Sequence, residues 1–214
     1  MLMQEKTSKK HVIEKSNEKE LDVTIEMGIG KLKLSGGTEQ IMEGKFTYRG
    51  EGLEPSFEYE KDDDKGRLVI AQNSVSKWGQ SFSAKQDWNF ALNRQLPLSL
   101  CVELGTGKSE LNLTELNLNE LTIDAGVGET IIDLSGNWEK SFKAELNSGV
   151  GKTKILLPKE IGTRIKIEKG VGKVKADYFM TVGDAHQNQA YDTADVKIDI
   201  ELNVGVGEVI LEQV

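Results

Sequence analysis

The sequence contains few of the residues on which most catalytic and metal-binding sites depend. Its 214 residues include one cysteine, two histidines and three prolines. The single cysteine, Cys101, cannot form an internal disulfide, and two histidines without a cysteine cluster argue against a transition-metal site. Activation of a Ser or Cys nucleophile needs a base nearby, and the chain offers almost none. We therefore expect no catalytic residues, no metal and no cofactor.

The chain also lacks a long apolar run and an excess of positive charge. No segment approaches the roughly 18 consecutive apolar residues of a membrane-spanning helix, so we expect no direct insertion of this chain into a membrane. The net charge is −8, and no cluster of Lys and Arg is present. Because phosphate backbones are bound through such clusters, nucleic acid is not an expected partner.

Glycine, by contrast, is abundant, and it recurs in six copies of one motif. Each copy is an alternating apolar run, then Gly-x-Gly, then Lys or Glu, then a second alternating apolar run. In the middle of the chain the first glycines follow one another at intervals of 21, 23 and 21 residues, a length typical of stacked solenoid rungs. The predicted corners of the repeat are Gly28, Gly30, Gly105, Gly107, Gly126, Gly128, Gly149, Gly151, Gly170, Gly172, Gly205 and Gly207.

The apolar positions change parity at each copy, which gives the glycines a structural role. Leu121 and Ile123 precede the third copy at odd positions, whereas Ile132 and Leu134 follow it at even ones. Side chains alternate along a strand, so each Gly-x-Gly must absorb one extra residue as a bulge or corner. Within this pattern the central apolar residues are expected to point inward, with Thr106 as a polar exception; they are Ile29, Val127, Val150, Val171 and Val206.

The charged residue after each second glycine is predicted to point outward. If rungs stack in chain order, Lys108, Glu129 and Lys152 form an exposed row of alternating sign. Lys173 would then lie beside Lys152 and break the alternation. This row is interpreted as a solvated face that adds solubility, in preference to a ligand site.

These patterns predict an all-β protein of stacked short strands, similar to a β-solenoid, with two packed sheets as the alternative. Residues 1–20 are polar and are expected to be a disordered tail or spacer. Residues 21–214 would form one repeat domain, with a hairpin and loop insertion at about 38–95. The interval of 35 residues before the last copy indicates a surface loop at 183–192.

An irregular stretch at residues 73–95 carries four aromatic residues, Trp78, Phe82, Trp88 and Phe90. The favoured interpretation is a cap over one end of the stack, because solenoid ends must be covered to stay soluble. The alternative is that these aromatic side chains contact a partner, as binding surfaces often do. They are therefore the candidate partner contacts.

Three other motifs are expected to be structural. Residues 105–109 spell the end of a phosphate-binding loop, but the required earlier glycine is replaced by Val102 and a strand follows in place of a helix. The aspartates at 62–64 lack the alternate spacing of a calcium loop and fit a hairpin tip. His186 beside Asp184 has no further ligand to complete a metal site or a base.

The glycine-punctuated strands resemble those of a known bacterial family, the toast-rack putative adhesins. The resemblance rests on Met27 to Leu32, on the Gly-Val-Gly rungs, and on Leu202 to Val209. The sequence is also similar to the C-terminal domains of cell-wall-active antibiotic response proteins. The likeness extends over nearly the whole chain after residue 20.

This resemblance implies a non-enzymatic protein of the cell envelope, displayed outside the cytoplasmic membrane or on the cell surface. It also implies anchoring by a segment that this chain does not show. The expected function is an adhesin or an envelope-stress component whose partner is a cell-wall glycan or an envelope protein. The alternatives are a carbohydrate-acting enzyme built on a β-solenoid, which would place paired Asp or Glu in a groove, and a purely structural subunit.

Overall fold

The computed structural model describes residues 6–49, 53–73 and 86–214, and the regular structure in these ranges is β-strand. Six long strands each carry one Gly-x-Gly near the middle, and seven shorter strands cover the two ends. The strands are β1 (Lys6–Ile13), β2 (Glu20–Thr38), β3 (Met42–Arg49), β4 (Pro55–Asp62), β5 (Lys65–Gln72), β6 (Gln86–Asn93), β7 (Pro97–Asn112), β8 (Asn117–Asp133), β9 (Phe142–Leu157), β10 (Gly162–Lys175), β11 (Met180–Val182), β12 (Ala185–Gln187) and β13 (Lys197–Gln213).

The six long strands form a parallel stack in the spatial order β2-β7-β8-β9-β13-β10. They pair in register, so that Gly107 lies beside Gly128 and Gly128 beside Gly151. The predicted all-β, solenoid-like fold is therefore confirmed. The last strand of the chain, β13, lies between β9 and β10, so the order in space differs from the order in sequence.

Each long strand has two arms that contribute to a single hydrophobic core. In β8, Leu121 and Ile123 are buried before the glycines, and Ile132 lies buried after them. The predicted change of parity is therefore present, and the strand bends where it occurs. The arms on the two sides of the bend form two walls around one core, which combines the solenoid and the two-sheet arrangements that the sequence left open.

The stack divides at its first strand. The first arm of β2 pairs with β5 and its second arm pairs with β6, so a different set of short strands extends each wall. Between these strands Phe46 packs against three aromatic rings, with ring centroids 4.8, 5.7 and 5.3 Å from those of Phe57, Trp88 and Phe90. The cluster fills this end of the core.

The prediction of a disordered tail over residues 1–20 is wrong for the part that the structure describes. Residues Lys6–Ile13 form β1, which pairs antiparallel with β3 along its whole length. The His11 ring stacks on Phe57 with centroids 3.8 Å apart, and Ile13 packs against the core. Backbone pairing and these two contacts order a segment that its polar composition alone would leave unfolded.

The connection from β1 to β2 contains a buried carboxylate, Glu18, which is 4% exposed. The Tyr59 hydroxyl donates to its Oε1 at 2.8 Å, and the Ser16 backbone N–H donates to its Oε2 at 2.7 Å. Burial raises the pKa of Glu18, but these hydrogen bonds outweigh burial and lower the pKa to about 2. The charged form of Glu18 therefore stabilises the folded state.

We expect Glu18 to make stability depend on acid pH. Because its pKa is lower in the folded chain, its contribution is complete above the unfolded pKa of 4.5 and is lost as pH falls toward 2. The contribution is about 3 kcal/mol, at about 1.4 kcal/mol per pKa unit. Urea unfolding at several pH values should show the gap between wild type and Glu18→Gln shrinking from pH 5 to pH 2.5. A gap that stays constant over this pH range would contradict this role of Glu18. The control is Glu43→Gln on β3, which removes one exposed charge and should show no such pH dependence.

The far end of the stack is closed by residues that the sequence assigned to a surface loop at 183–192. Ala185–Gln187 form β12, which pairs with β10, and Asn188 is fully buried. The Asn188 side chain accepts from the Thr163 backbone N–H at 3.0 Å and donates to the Ile161 carbonyl at 2.8 Å. The surface-loop prediction is therefore corrected, because this amide satisfies buried backbone groups at the last rung.

Candidate binding rim

The six Gly-x-Gly bends lie side by side along one edge of the stack, which we call the rim. The second glycine of each bend has a positive φ, and that of Gly128 is 145°. The first glycine is required for a different reason, since a Cβ on Gly126 would lie 2.4 Å from the Gly105 carbonyl oxygen. At every first glycine except Gly28, the neighbouring backbone approaches so closely that only glycine fits.

The residue between the two glycines points out of the protein, contrary to the sequence-based expectation. All six are exposed, and the five apolar ones are 44% to 72% exposed. They lie in register, in the spatial order Ile29, Thr106, Val127, Val150, Val206 and Val171. The strand turns at this point, so alternation does not continue through the bend. We call these six residues the valine row. It is a line of side chains exposed to solvent, apolar at every position except Thr106.

A charged row runs beside the valine row, and here the spatial order corrects a second expectation. Glu208 lies between Lys152 and Lys173, so the signs alternate from Lys108 through Glu129 to Lys173. Lys108 Nζ lies 2.8 Å from the Glu129 carboxylate, and this hydrogen bond lowers the pKa of Glu129. The break predicted at Lys173 does not occur, because β13 is inserted between β9 and β10.

On the other side of the valine row, an open groove of about 980 Å³ crosses all six long strands. The backbone of the six first glycines forms part of its lining. Its wall carries one polar residue from each strand, two positions before the first glycine, in the spatial order Glu26, Glu103, Asp124, Asn147, Asn203 and Glu168. We call these six residues the acceptor row.

Hydrogen bonds between neighbouring strands orient the middle of the acceptor row. The Asn147 amide donates to Asp124 Oδ1 at 2.7 Å, and the Asn203 amide donates to Asn147 Oδ1 at 2.9 Å. An ionised carboxylate accepts hydrogen bonds and has none to donate. The groove wall therefore presents mainly acceptors to any ligand that lies in it.

The aromatic residues proposed as partner contacts divide into two groups. Trp88 and Phe90 are 0% and 2% exposed and belong to the aromatic cluster that fills the end of the core. The Trp88 indole N–H donates to Gln86 Oε1 at 2.9 Å, which satisfies its polar atom. The partner-contact prediction is thus corrected for these two, whose burial matches the cap interpretation. Trp78 and Phe82 lie outside the described residues.

The other motifs singled out in the sequence have structural surroundings. Lys166 Nζ lies 3.0 Å from Asp184, beside His186 on β12. Burial and the nearby carboxylates of Glu103, Asp124 and Glu26 raise the pKa of the Cys101 thiol, so this thiol is largely protonated at neutral pH. Lys108, the lysine of the phosphate-loop-like segment, is paired with Glu129 on the rim.

In the part of the chain that the structure describes, no helix has the length and apolar character needed to span a membrane. Across 6–49, 53–73 and 86–214, no three His, Cys, Asp or Glu side chains are grouped as metal ligands.

Comparisons with known proteins gave two family matches. Residues 2–156 match the family described as the N-terminal domain of toast_rack, DUF2154. Residues 106–211 match the family described as cell wall-active antibiotics response LiaF, C-terminal. No curated protein matches the chain.

Several solved structures resemble the chain. A putative cell adhesion protein from Clostridium sporogenes is 32% identical, with a TM-score of 0.92, over 98% of this chain and 100% of its own. A putative adhesin from Parabacteroides merdae is 15% identical over 98% of this chain and 96% of its own, but its TM-score is only 0.28. The first match shares the fold described above over its full length.

Proposed function

Because this chain belongs to the toast-rack family, we propose that it is a non-enzymatic binding protein of the bacterial cell envelope that uses its rim as the contact surface. The family match and the 32% identical structure confirm the resemblance that the glycine repeats predicted. The match to a family of cell wall-active antibiotics response proteins supports a place outside the cytoplasmic membrane.

The observation that carries this proposal is the exposed valine row. Single apolar side chains on a surface need no explanation, but a contiguous line of them is typical of interaction sites. Five of the six residues are Val or Ile, all at least 44% exposed, and the row extends over about 24 Å at about 4.8 Å per strand. A row of this kind, between a groove and a charged row, favours a partner that extends along the stack.

Retention on cell fractions tests the proposal. The purified chain is mixed with intact cells, isolated cell wall and solubilised membranes of the source bacterium, and we expect it to be retained on cells or wall. A variant carrying Val127→Thr, Val150→Thr and Val206→Thr should be retained about fiftyfold less, because three methyl groups are lost at about 0.8 kcal/mol each. Threonine already occupies this row at Thr106, so the variant should fold normally.

The matched control is the double variant Val12→Thr and Val182→Thr. Val12 and Val182 are each 51% exposed, which is close to the 52% of Val127 and the 48% of Val150. Neither Val12 nor Val182 lies on the rim. The control should be retained like the wild type. The proposal fails if the wild type is retained on none of the fractions, and the role of the rim fails if both variants behave alike.

A carbohydrate-acting enzyme remains the second candidate, because one observation favours it. Glu103 lies in register between Glu26 and Asp124 in the groove, and glycoside hydrolases act through two such carboxylates. Incubation with polysaccharides and oligosaccharides, followed by mass spectrometry of the products, separates the two candidates. The binding function predicts intact sugars, whereas shortened chains would establish turnover.

A further inference from the structure

The groove and the valine row together have the repeat and the chemistry of a glycan site. We propose that the rim binds an extended glycan chain, neutral or amine-bearing, that lies across the six long strands. This inference rests on the proposed envelope-binding function and names the class of its partner.

The spacing of the rim favours a sugar chain over an extended peptide. Neighbouring strands are about 4.8 Å apart, so both rows repeat at that interval. A β-linked pyranose chain repeats its rings at nearly the same spacing, which allows one ring per strand. An extended peptide repeats the side chains of one face at about 6.6 Å and falls out of step after two strands. Successive rings of such a chain are turned over relative to one another, so six strands offer about six ring positions, of which every second one is equivalent.

The two rows match the two kinds of surface on a sugar ring. The methyl groups of Val127, Val150 and Val206 face solvent and can cover the C–H face of a ring. The acceptor row lies in the groove beside them, and its carboxylates need donors such as hydroxyl or amide N–H groups. A glycan supplies apolar and donor groups together at every repeat.

The charge of the groove selects among glycans. Four of its lining residues are carboxylic acids, and Lys169 is its one cationic lining residue within the described chain. Of the four acids, Glu168 lies 3.9 Å from Lys166, whereas Glu26, Glu103 and Asp124 form no ion pair with any residue that the structure describes. Like charge would repel a polyanionic chain. The site is therefore specific for neutral or amine-bearing sugars.

Calorimetric titration of the whole chain with β-1,4-linked N-acetylglucosamine oligomers tests this proposal. We expect affinity to rise with each ring from two to six, and polygalacturonate, a polyanion, to bind at least about tenfold more weakly than the six-ring oligomer. The double variant Glu103→Gln and Asp124→Asn should bind the six-ring oligomer about tenfold more weakly, because two hydrogen bonds to charged acceptors are replaced by two weaker ones to neutral amides. Glu43→Gln with Glu120→Gln, which removes two exposed carboxylates outside the groove, should bind like the wild type.

Each outcome bears on one of the two proposals. No binding of any oligomer, equal binding of two and six rings, or tight binding of the polyanion would overturn the glycan site. Wild-type retention on the cell wall that persists in the Glu103→Gln and Asp124→Asn variant would also overturn it, but would leave the envelope-binding function intact. Failure of the wild type to bind any cell fraction would instead remove that function.

Discussion

Gly126→Ala should lower the free energy of unfolding by about 3 kcal/mol, whereas Gly28→Ala should lower it by less than about 1 kcal/mol. Both are first glycines of the same motif, but their surroundings differ. A Cβ on Gly126 would lie 2.4 Å from the Gly105 carbonyl oxygen, which is fixed in the stack. A Cβ on Gly28 would meet only the Gln72 side chain, at 3.3 Å, at the end of the stack. Thermal and urea unfolding monitored by circular dichroism measure both changes.

Gly128→Ala extends the series to the second glycine and should be at least as harmful as Gly126→Ala. Its Cβ would lie 1.8 Å from the Gly107 carbonyl oxygen, and its φ of 145° is unfavourable for any residue with a side chain. At about 2–4 °C per kcal/mol for a chain of this size, Gly126→Ala should lower Tm by about 10 °C. Equal losses for Gly28→Ala and Gly126→Ala would show that close backbone approach is not the reason for these glycines.

The glycine series also shows how much of the fold the sequence could predict. Parity of the apolar residues locates the bend in each strand, because burying both arms against one core requires a change of parity. The position of β13 could not be predicted in this way. Its pairing with β9 and β10 is a long-range choice, and neighbouring copies of a repeat are similar enough to pair in several orders. The charged row of alternating sign was therefore predicted correctly for three members and wrongly at Lys173.

The orientation of the valine row was missed for a local reason. Alternation of side chains holds only while the backbone stays extended, and the positive φ of each second glycine ends that regularity. Val127 belongs by number to the inward set of Leu121 and Ile123, but it stands at the bend and points to solvent. A pattern with a period of two carries no information at the residue where the strand turns.

The sequence contains a signal for the acceptor row, but the outward parity of these positions makes them look like ordinary exposed residues. Every copy of the motif carries Glu, Asp or Asn two residues before its first glycine. On an ordinary strand such a residue would be a solvated position without further meaning. Only the bend, which places this position in a groove beside the glycines, gives it a role. That geometry follows from backbone approach between strands, which alternation alone does not describe.

Trp88→Ala should lower the free energy of unfolding by about 3–5 kcal/mol and lower Tm by about 10 °C or more. Trp88 is 0% exposed, and its ring packs against Phe46 in the aromatic cluster that fills the end of the stack. Its removal leaves a cavity between two walls that are held apart by neighbouring strands, so collapse around it is limited. It also leaves the buried Gln86 Oε1 without the indole donor.

Trp88→Phe separates the two parts of this effect. Phenylalanine keeps most of the packing but cannot donate to Gln86, so we expect a loss of about 1–3 kcal/mol, the cost of one buried acceptor left without a partner. Retention on cell wall should be unchanged in both variants below their melting temperatures, since Trp88 lies inside the protein and does not line the groove. A Trp88→Ala protein that melts like the wild type but no longer binds cell wall would support the prediction that Trp88 contacts a partner. A change in Tm alone therefore supports the cap interpretation of Trp88, and a change in cell-wall retention alone supports the partner-contact interpretation.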